Sequence, residues 1–322
     1  MKKLFILPFI LLAAFTACSD DSCPDDSGKS EVAPSQLITP ELAVRLADSK
    51  DPMTGVVEAY ACKAGSPIYY GNYIQNKLTP FPGYYKLMNG EVYGKSNRLL
   101  TLPVGQYNII YWGTPKAETP IYSDPVVLDP AITLGGNLDE QAYKLRRMPA
   151  DTTYYSTFDL VYAVNSIDIG VEELNASLQR VVGGLKVIVK NTDNSALSNT
   201  IAGMNVLIGS IAESLNMYTA EPVNQTCTVK FPLTLSADRN EMSNATVMLF
   251  PSGSRPLLTL LINLKNGNVK TFRQELTGPL RANNQLTLTL TLGDIFSDQT
   301  SGSFTVEKWE EENQTITVPP LT

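Results

Sequence analysis

The chain has 322 residues, with 25 Lys and Arg against 32 Asp and Glu, a formal charge of −7, and no histidine. The missing imidazole removes Ser-His-Asp and Cys-His catalysis together with the commonest metal ligand, and the acidic balance repels the phosphate backbone, so no nucleic-acid partner is expected. Hydrophobic residues make up 43% of the chain, enough to bury real cores, and the length fits two domains of ~100–200 residues each.

At the N-terminus, Lys2 and Lys3 precede an apolar run from Leu4 to Ala14, and Phe15-Thr16-Ala17 leads into Cys18. A charged start, a short apolar stretch and small residues before a cut site read as a signal peptide over residues 1–17. The run is too short to span a bilayer. A Cys just after the small residues resembles a bacterial lipobox, in which that Cys is acylated, with palmitate among the chains, and becomes the mature N-terminus. Phe15 departs from the usual aliphatic residue there. Ser19-Asp20-Asp21 resembles the acidic export tag of Bacteroidota surface lipoproteins. Read this way, Cys18 is the lipidation site and the chain hangs from the outer membrane facing the exterior. One acyl chain at ~0.8 kcal/mol per methylene holds marginally, and two or more hold firmly. The competing reading is an ordinary secretory signal with a coincidental Cys.

Residues 18–36 are polar and acidic and read as a flexible, lipidated tether. Thr39-Pro40-Glu41 before Leu42, Val44 and Leu46 predicts a short capped helix, with Thr39 as cap and Pro40 at the first helical position. Short strands follow. Val56 to Cys62 is β-branched and aromatic, and Ile68 to Tyr73 carries three tyrosines. Arg98 to Leu102 and Gln106 to Trp112, joined by Pro103-Val104-Gly105, predict a hairpin. Leu138 to Arg147 is the other helix candidate. Beyond a boundary placed near Ile167, Leu178 to Val189 reads as one long strand, followed by Met204 to Ile211, Thr228 to Phe231 and Thr246 to Phe250. Lys265-Asn266-Gly267-Asn268 between two strand runs is a strong hairpin signal. Leu286, Leu288, Leu290 and Leu292 alternate with threonines, which buries a Leu face and wets a Thr face. Phe304 to Trp309 and Ile316 to Val318 read as a terminal hairpin around Glu310 to Asn313. Turn signals every 8–12 residues and few helices make the chain all-β: an N-terminal β-sandwich over residues 37–166 and a C-terminal one over 167–322.

No residue pattern supports a cofactor, a metal site or an enzyme. The acidic pairs Asp20-Asp21 and Asp25-Asp26, and Glu310 to Glu312, lie in the tether and a turn and read as solvated charge. Gly135-Gly136 and Gly183-Gly184 lack the context of a phosphate loop and read as bulges or tight turns. With Cys18 acylated, Cys23, Cys62 and Cys227 remain, without a CxxC pair. Cys62 and Cys227 read as small buried strand residues, a disulfide between them being the alternative. The N-x-[ST] sequons, Asn244 among them, are not read as glycosylated, because the signal is bacterial. Asp151-Thr152-Thr153 resembles the Bacteroidota O-glycosylation motif and nominates Thr152. Tyr60, Tyr69, Tyr70, Tyr73, Tyr84 and Tyr85 cluster in the first domain, where they either fill sheets or form a binding surface.

Taken in order, Cys18, then Leu102-Pro103-Val104-Gly105-Gln106-Tyr107 leading to Tyr111-Trp112, Phe158 to Tyr162, Leu178 to Val187, Leu280 to Asn284, Leu286 to Leu288 and Val306 to Trp309 resemble the FimB/Mfa-type fimbrial anchor subunit family of Bacteroidota type V pili. The resemblance covers most of the chain. It implies two transthyretin-like β-sandwiches, outer-membrane anchoring, and a role in attaching a pilus and limiting its length, with no catalytic residues to carry over. The implied partner is the pilus stalk subunit, joined by strand addition. Residues 303–322 suit such a donated strand, or else complete their own domain. The alternative function is that of a surface glycan-binding lipoprotein of a nutrient-uptake system.

Overall fold

The computed structural model describes residues 36–49, 52–115 and 127–292. β-branched and aromatic runs punctuated by Gly, Asn and Pro become strands almost throughout. The first series is β1 (Leu37–Ile38), β2 (Leu42–Leu46), β3 (Gly55–Lys63), β4 (Asn72–Ile74), β5 (Lys77–Thr79), β6 (Gly83–Met88), β7 (Glu91–Val92), β8 (Leu102–Pro103) and β9 (Gly105–Thr114). Next come β10 (Val127–Leu128), a 3-10 turn (Leu138–Glu140), β11 (Ala142–Leu145), β12 (Val161–Ile169) and β13 (Leu174–Arg180). The last series is β14 (Gly183–Asn191), β15 (Ile201–Ile211), β16 (Ser214–Asn216), β17 (Pro222–Val223), β18 (Cys227–Leu235), β19 (Glu241–Ser243), β20 (Val247–Leu249), β21 (Leu257–Leu264), β22 (Val269–Glu275) and β23 (Gln285–Leu292). There is no α-helix among the described residues. The fold is the expected all-β class, with two β-sandwiches in tandem.

The first main sheet has seven strands in the order β2-β13-β12-β9-β3-β6-β7. It is antiparallel except where β13 meets β2. Both of its faces are covered. Val57, Ala59 and Ala61 of β3 join Ile109 and Tyr111 of β9 in one core, whereas Tyr60 and Cys62 join Ile110 and Trp112 in another. That is why β3 is buried at every residue from Gly55 to Cys62 and reads as a continuous apolar run rather than an alternating one.

The second main sheet runs β20-β14-β19-β18-β15-β21-β22, with β23 laid parallel along β14. β18 pairs with β15 along most of its length and with β19 at Thr234 and Leu235, so the sheet turns a corner on it. One side of β14 is shared. Gly183–Leu185 pair with β20 and Ile188–Lys190 with β19, and in the gap the Asn244 amide donates to Leu185 O at 3.0 Å and accepts from Val187 N at 2.7 Å. A side chain there stands in for a missing strand residue.

The two main sheets are joined by a four-stranded one, β10-β11-β16-β17, with β10 and β11 from the middle group of strands and β16 and β17 from the last series. Trp112 underlies the junction. Its indole stacks obliquely on Tyr143 at 4.7 Å and Tyr162 at 5.0 Å, and its Nε1 donates to Met217 O at 2.9 Å. Asn108 Nδ2 donates to the Tyr218 hydroxyl at 2.9 Å, and the Tyr162 hydroxyl donates to Tyr218 O. One core cluster therefore runs from β3 and β9 into the second sheet.

Several expectations are corrected. Leu42–Leu46 is a strand, not a helix, because Leu42, Val44 and Leu46 alternate inward and β13 supplies the ladder. Leu138 to Arg147 is a single 3-10 turn capped by the Asn137 side chain, followed by β11. β8 and β9 do not pair, since β8 bonds β1 while β9 is already held on both edges by β3 and β12. Leu178 to Val189 is two strands that break at Val181-Val182 and belong to different sheets. Gly183 and Gly184 are not in a turn: they sit in β14, where a Cβ on Gly183 would come 2.5 Å from Arg281 O and one on Gly184 2.8 Å from Thr246 Cγ2. The β21–β22 hairpin forms as expected, with Gly267 at φ +86°. The Leu face of β23 is buried at Leu288, Leu290 and Leu292, and its Thr face is half-covered rather than wet, Thr287 being buried.

Candidate functional site

The feature with the chemistry of a site is a cleft on the face of the first sheet that carries Tyr60. It starts from a charge placed inside an apolar strand. Glu58 lies between Val57 and Ala59 on β3, is only 3% exposed, and accepts a hydrogen bond from the Tyr60 hydroxyl. Tyr143, carried in by β11, brings its hydroxyl to 3.4 Å from that of Tyr60. These three buried side chains line the cleft at its base. Around them stand Pro80-Phe81-Pro82 on the approach to β6, Tyr84 on β6, Ser96 and Arg98 from the following loop, and Asp129, Pro130 and Ile132 just after β10. The volume of this open cleft is about 610 Å³.

Backbone pairing fixes the basic residue. Arg98 and Tyr84 exchange both main-chain hydrogen bonds, at 2.7 and 2.8 Å. From that position Arg98 Nε donates to Pro82 O at 2.6 Å, and its guanidinium lies 5.4 Å from the centroid of the Phe81 ring. Phe81 is 54% exposed, an unusual setting for a large aromatic. The electrostatics are set by the two acids. Burial against the cleft wall, and then the Glu58 carboxylate, push the Asp129 carboxyl up to about 6, although Asp129 as a residue is open to solvent at the rim. Burial first and Glu58 second raise the Tyr143 phenol well above its ordinary range. The Tyr84 phenol is raised by burial and by Glu58, with Arg98 opposing. Tyr84 and Tyr143 thus stay neutral hydrogen-bonding groups across the physiological range. No group of His, Cys, Asp and Glu able to hold a metal ion occurs among the described residues.

The sequence-derived candidates fall elsewhere or divide. Cys18, Cys23, the tether and residues 303–322 lie outside the described residues. Thr152 is exposed in a turn, next to an Asp151 whose carboxylate is held by Thr153 and by Lys230 Nζ at 3.0 Å. Cys62 and Cys227 are free and buried, not bridged, and burial pushes the Cys62 thiol up to about 12, which leaves it unreactive. Of the clustered tyrosines, Tyr69 and Tyr85 are sealed in the cores, Tyr70 and Tyr73 are half-buried away from the cleft, and Tyr60 and Tyr84 line it. Glu58, Arg98 and Asp129 were not singled out by the sequence reading. A glutamate inside Val56-Val57-Glu58-Ala59-Tyr60-Ala61-Cys62 is the one signal that could have found the site.

Comparison with known proteins supplies the family. The sequence matches the family described as fimbrillin-A associated anchor proteins Mfa1 and Mfa2 over residues 39–315. The chain belongs to that family. The fold is similar to that of an adhesin candidate from Bacteroides ovatus, with a TM-score of 0.54 and 12% identity over 86% of this chain and 96% of that one. It is similar also to a candidate polysaccharide-binding protein from Bacteroides thetaiotaomicron, with a TM-score of 0.53 and 13% identity over 79% and 92%. The fimbrial anchor protein Mfa2 from Porphyromonas gingivalis aligns with a TM-score of 0.49 and 15% identity over 78% and 88%. At identities this low, the two Bacteroides neighbours show a common fold alone. A search of curated proteins finds no match. Membership of the anchor family gives this chain a structural, fimbria-associated role at the cell surface.

Proposed function

We propose that this chain anchors a fimbrium to the outer membrane and limits its length. Acyl chains on Cys18 hold it in the lipid, and the stalk subunit joins it by strand addition, in which main-chain hydrogen bonds supply affinity and alternate side chains fill pockets. The observation that carries the reading is the family match, which begins at residue 39, just beyond the 18–36 tether that leads from Cys18. An O-linked sugar on the exposed Thr152 belongs to the same reading, and its absence from the intact mass of the purified wild-type protein would remove that part.

The strand-addition step is tested by deleting Gln314 to Thr322. The truncated protein is expected to stay folded and lipidated while fimbriae are shed into the medium. Loss of folding on truncation, or fimbriae that stay on the cell, would show that the terminal strand is internal and that the stalk contact lies elsewhere.

A further inference from the structure

The second sheet has an edge whose chemistry differs from that of the other edges. Among the described strands, β23 has β14 as its one neighbour. An outer strand turns every second N–H and C=O away from its sheet and can template pairing with another chain, so natural edges carry charge or are covered. The outer strands β2, β7 and β22 carry Arg45, Glu91, and Lys270 with Arg273. The eight residues of β23 are Gln285 followed by alternating Leu and Thr, without a charge, a Gly or a Pro. Such a run left bare is a pairing hazard and calls for cover. Signs of cover are on the strand itself. Thr287 is buried although it alternates with the leucines that face the core, and Thr287 and Thr291 each make a further interaction besides the ladder to β14.

We propose that the edge of β23 is covered by this chain's own residues 304–309, paired antiparallel to it as one more strand of the second sandwich. Reach is satisfied at once, because residues 293–302, ten in all, lead from the end of β23 to Ser303. A connection that short returns the chain antiparallel, since a parallel neighbour needs a crossover of about a dozen residues or more. It is rich in turn formers, with Gly293, Asp294, Ser297, Asp298, Ser301 and Gly302. Phe304 and Val306 alternate with Ser303, Thr305 and Glu307, the same period of two that β23 shows. With Phe304 and Val306 on the leucine side, Glu307 joins the face on which Lys186 and Lys190 stand opposite Thr287 and Thr291. Charge and apolar pattern therefore select the same orientation. The family match also runs through residues 304–309, ending at 315.

A strand from a second copy would satisfy the same backbone groups. The chain's own segment has the advantage of its short connection, which gives it an effective concentration of about millimolar that a free partner has to exceed. Anchoring through Cys18 and strand donation by residues 314–322 are separate matters. Neither uses residues 304–309, so the failure of one reading leaves the other standing.

The test is hydrogen exchange of the full-length protein in detergent micelles, read by mass spectrometry on peptides spanning 285–292 and 303–309. In the wild type, nearly all amides of β23 are expected to exchange slowly, because both of its edges are bonded, and residues 304–309 are expected to be slow with them. This protection is expected to be the same over a ~100-fold range of protein concentration, as an intramolecular contact requires. Val306→Pro removes an amide and cannot hold a ladder position. It is expected to speed exchange at least ~10-fold in 303–309 and in about half of the β23 amides, those turned away from β14, while the other half stays slow. Ile316→Pro, outside the segment, is expected to change neither peptide. Fast exchange of 303–309 in the folded wild type would overturn the proposal without recourse to any variant. So would β23 amides indifferent to Val306→Pro, release of β23 by Ile316→Pro, or protection that appears only as concentration rises, which would give the edge to a second copy.

Discussion

Asn244 shows how far one side chain can carry a sheet. Its amide satisfies Leu185 O and Val187 N where β14 passes from β20 to β19. Replacing it with Ala strands both buried main-chain groups, and Asn244→Ala is expected to lower stability by roughly 1–3 kcal/mol, read as a shifted urea midpoint with an unchanged slope. From sequence this residue was visible only as an unused Asn-Ala-Thr sequon, because a hydrogen bond made across 57 positions has no local signature. Glu58 is hidden for the same reason: the cleft exists only once β6, β11 and the segment after β10 converge on β3. Asp129 gives the residue-level pH prediction. Its folded value near 6 lies above the reference value of 3.8, so between the two the folded state binds more protons than the unfolded chain. Stability then falls as pH rises from about 4 to about 6. Asp151 has the opposite sign, being held down to about 2, so its contribution grows as pH rises from about 2 to about 4. The difference in melting temperature between wild type and Asp129→Asn, followed from about pH 4 to about pH 6, is expected to move steadily in favour of the variant. A flat difference would remove the assigned environment of Asp129.

Strands were legible where period two or a turn dipeptide spoke without a competitor. Asn266-Gly267 named the β21–β22 hairpin, and the Leu-Thr alternation named β23. Helix signals failed where cap chemistry was local and the deciding partner remote. Thr39-Pro40-Glu41 fits a helix start, yet the ladder to β13, more than a hundred residues on, holds Leu42–Leu46 extended. Pro103-Val104-Gly105 likewise fits a hairpin loop, but both edges of β9 are taken. At this scale the test is β23. Leu288 is 1% exposed, and Leu288→Asp is expected to cost several kcal/mol and to melt the second sheet. Thr289, on the half-covered face, is expected to tolerate Asp with a markedly smaller loss. Equal shifts in the denaturation midpoints of the two variants would mean that the buried face is assigned wrongly.

For the whole molecule, the Trp112 junction and the bridging sheet make one continuous body of the two main sheets within the described residues. The all-β class and the family resemblance could both be read from sequence, because each rests on patterns spread along most of the chain. The junction could not, since Trp112, Tyr162 and Tyr218 look like ordinary sheet aromatics until the sheets meet. In the proposed role, the fimbrium is held to the cell through this chain and its lipid. The direct measurement is the partition of stalk pilin between cells and medium in a strain carrying Cys18→Ala, with secretion of the variant confirmed. Stalk pilin is expected to move into the medium together with the unlipidated protein. Stalk pilin that stays on the cells at the wild-type level while the variant is released would contradict it.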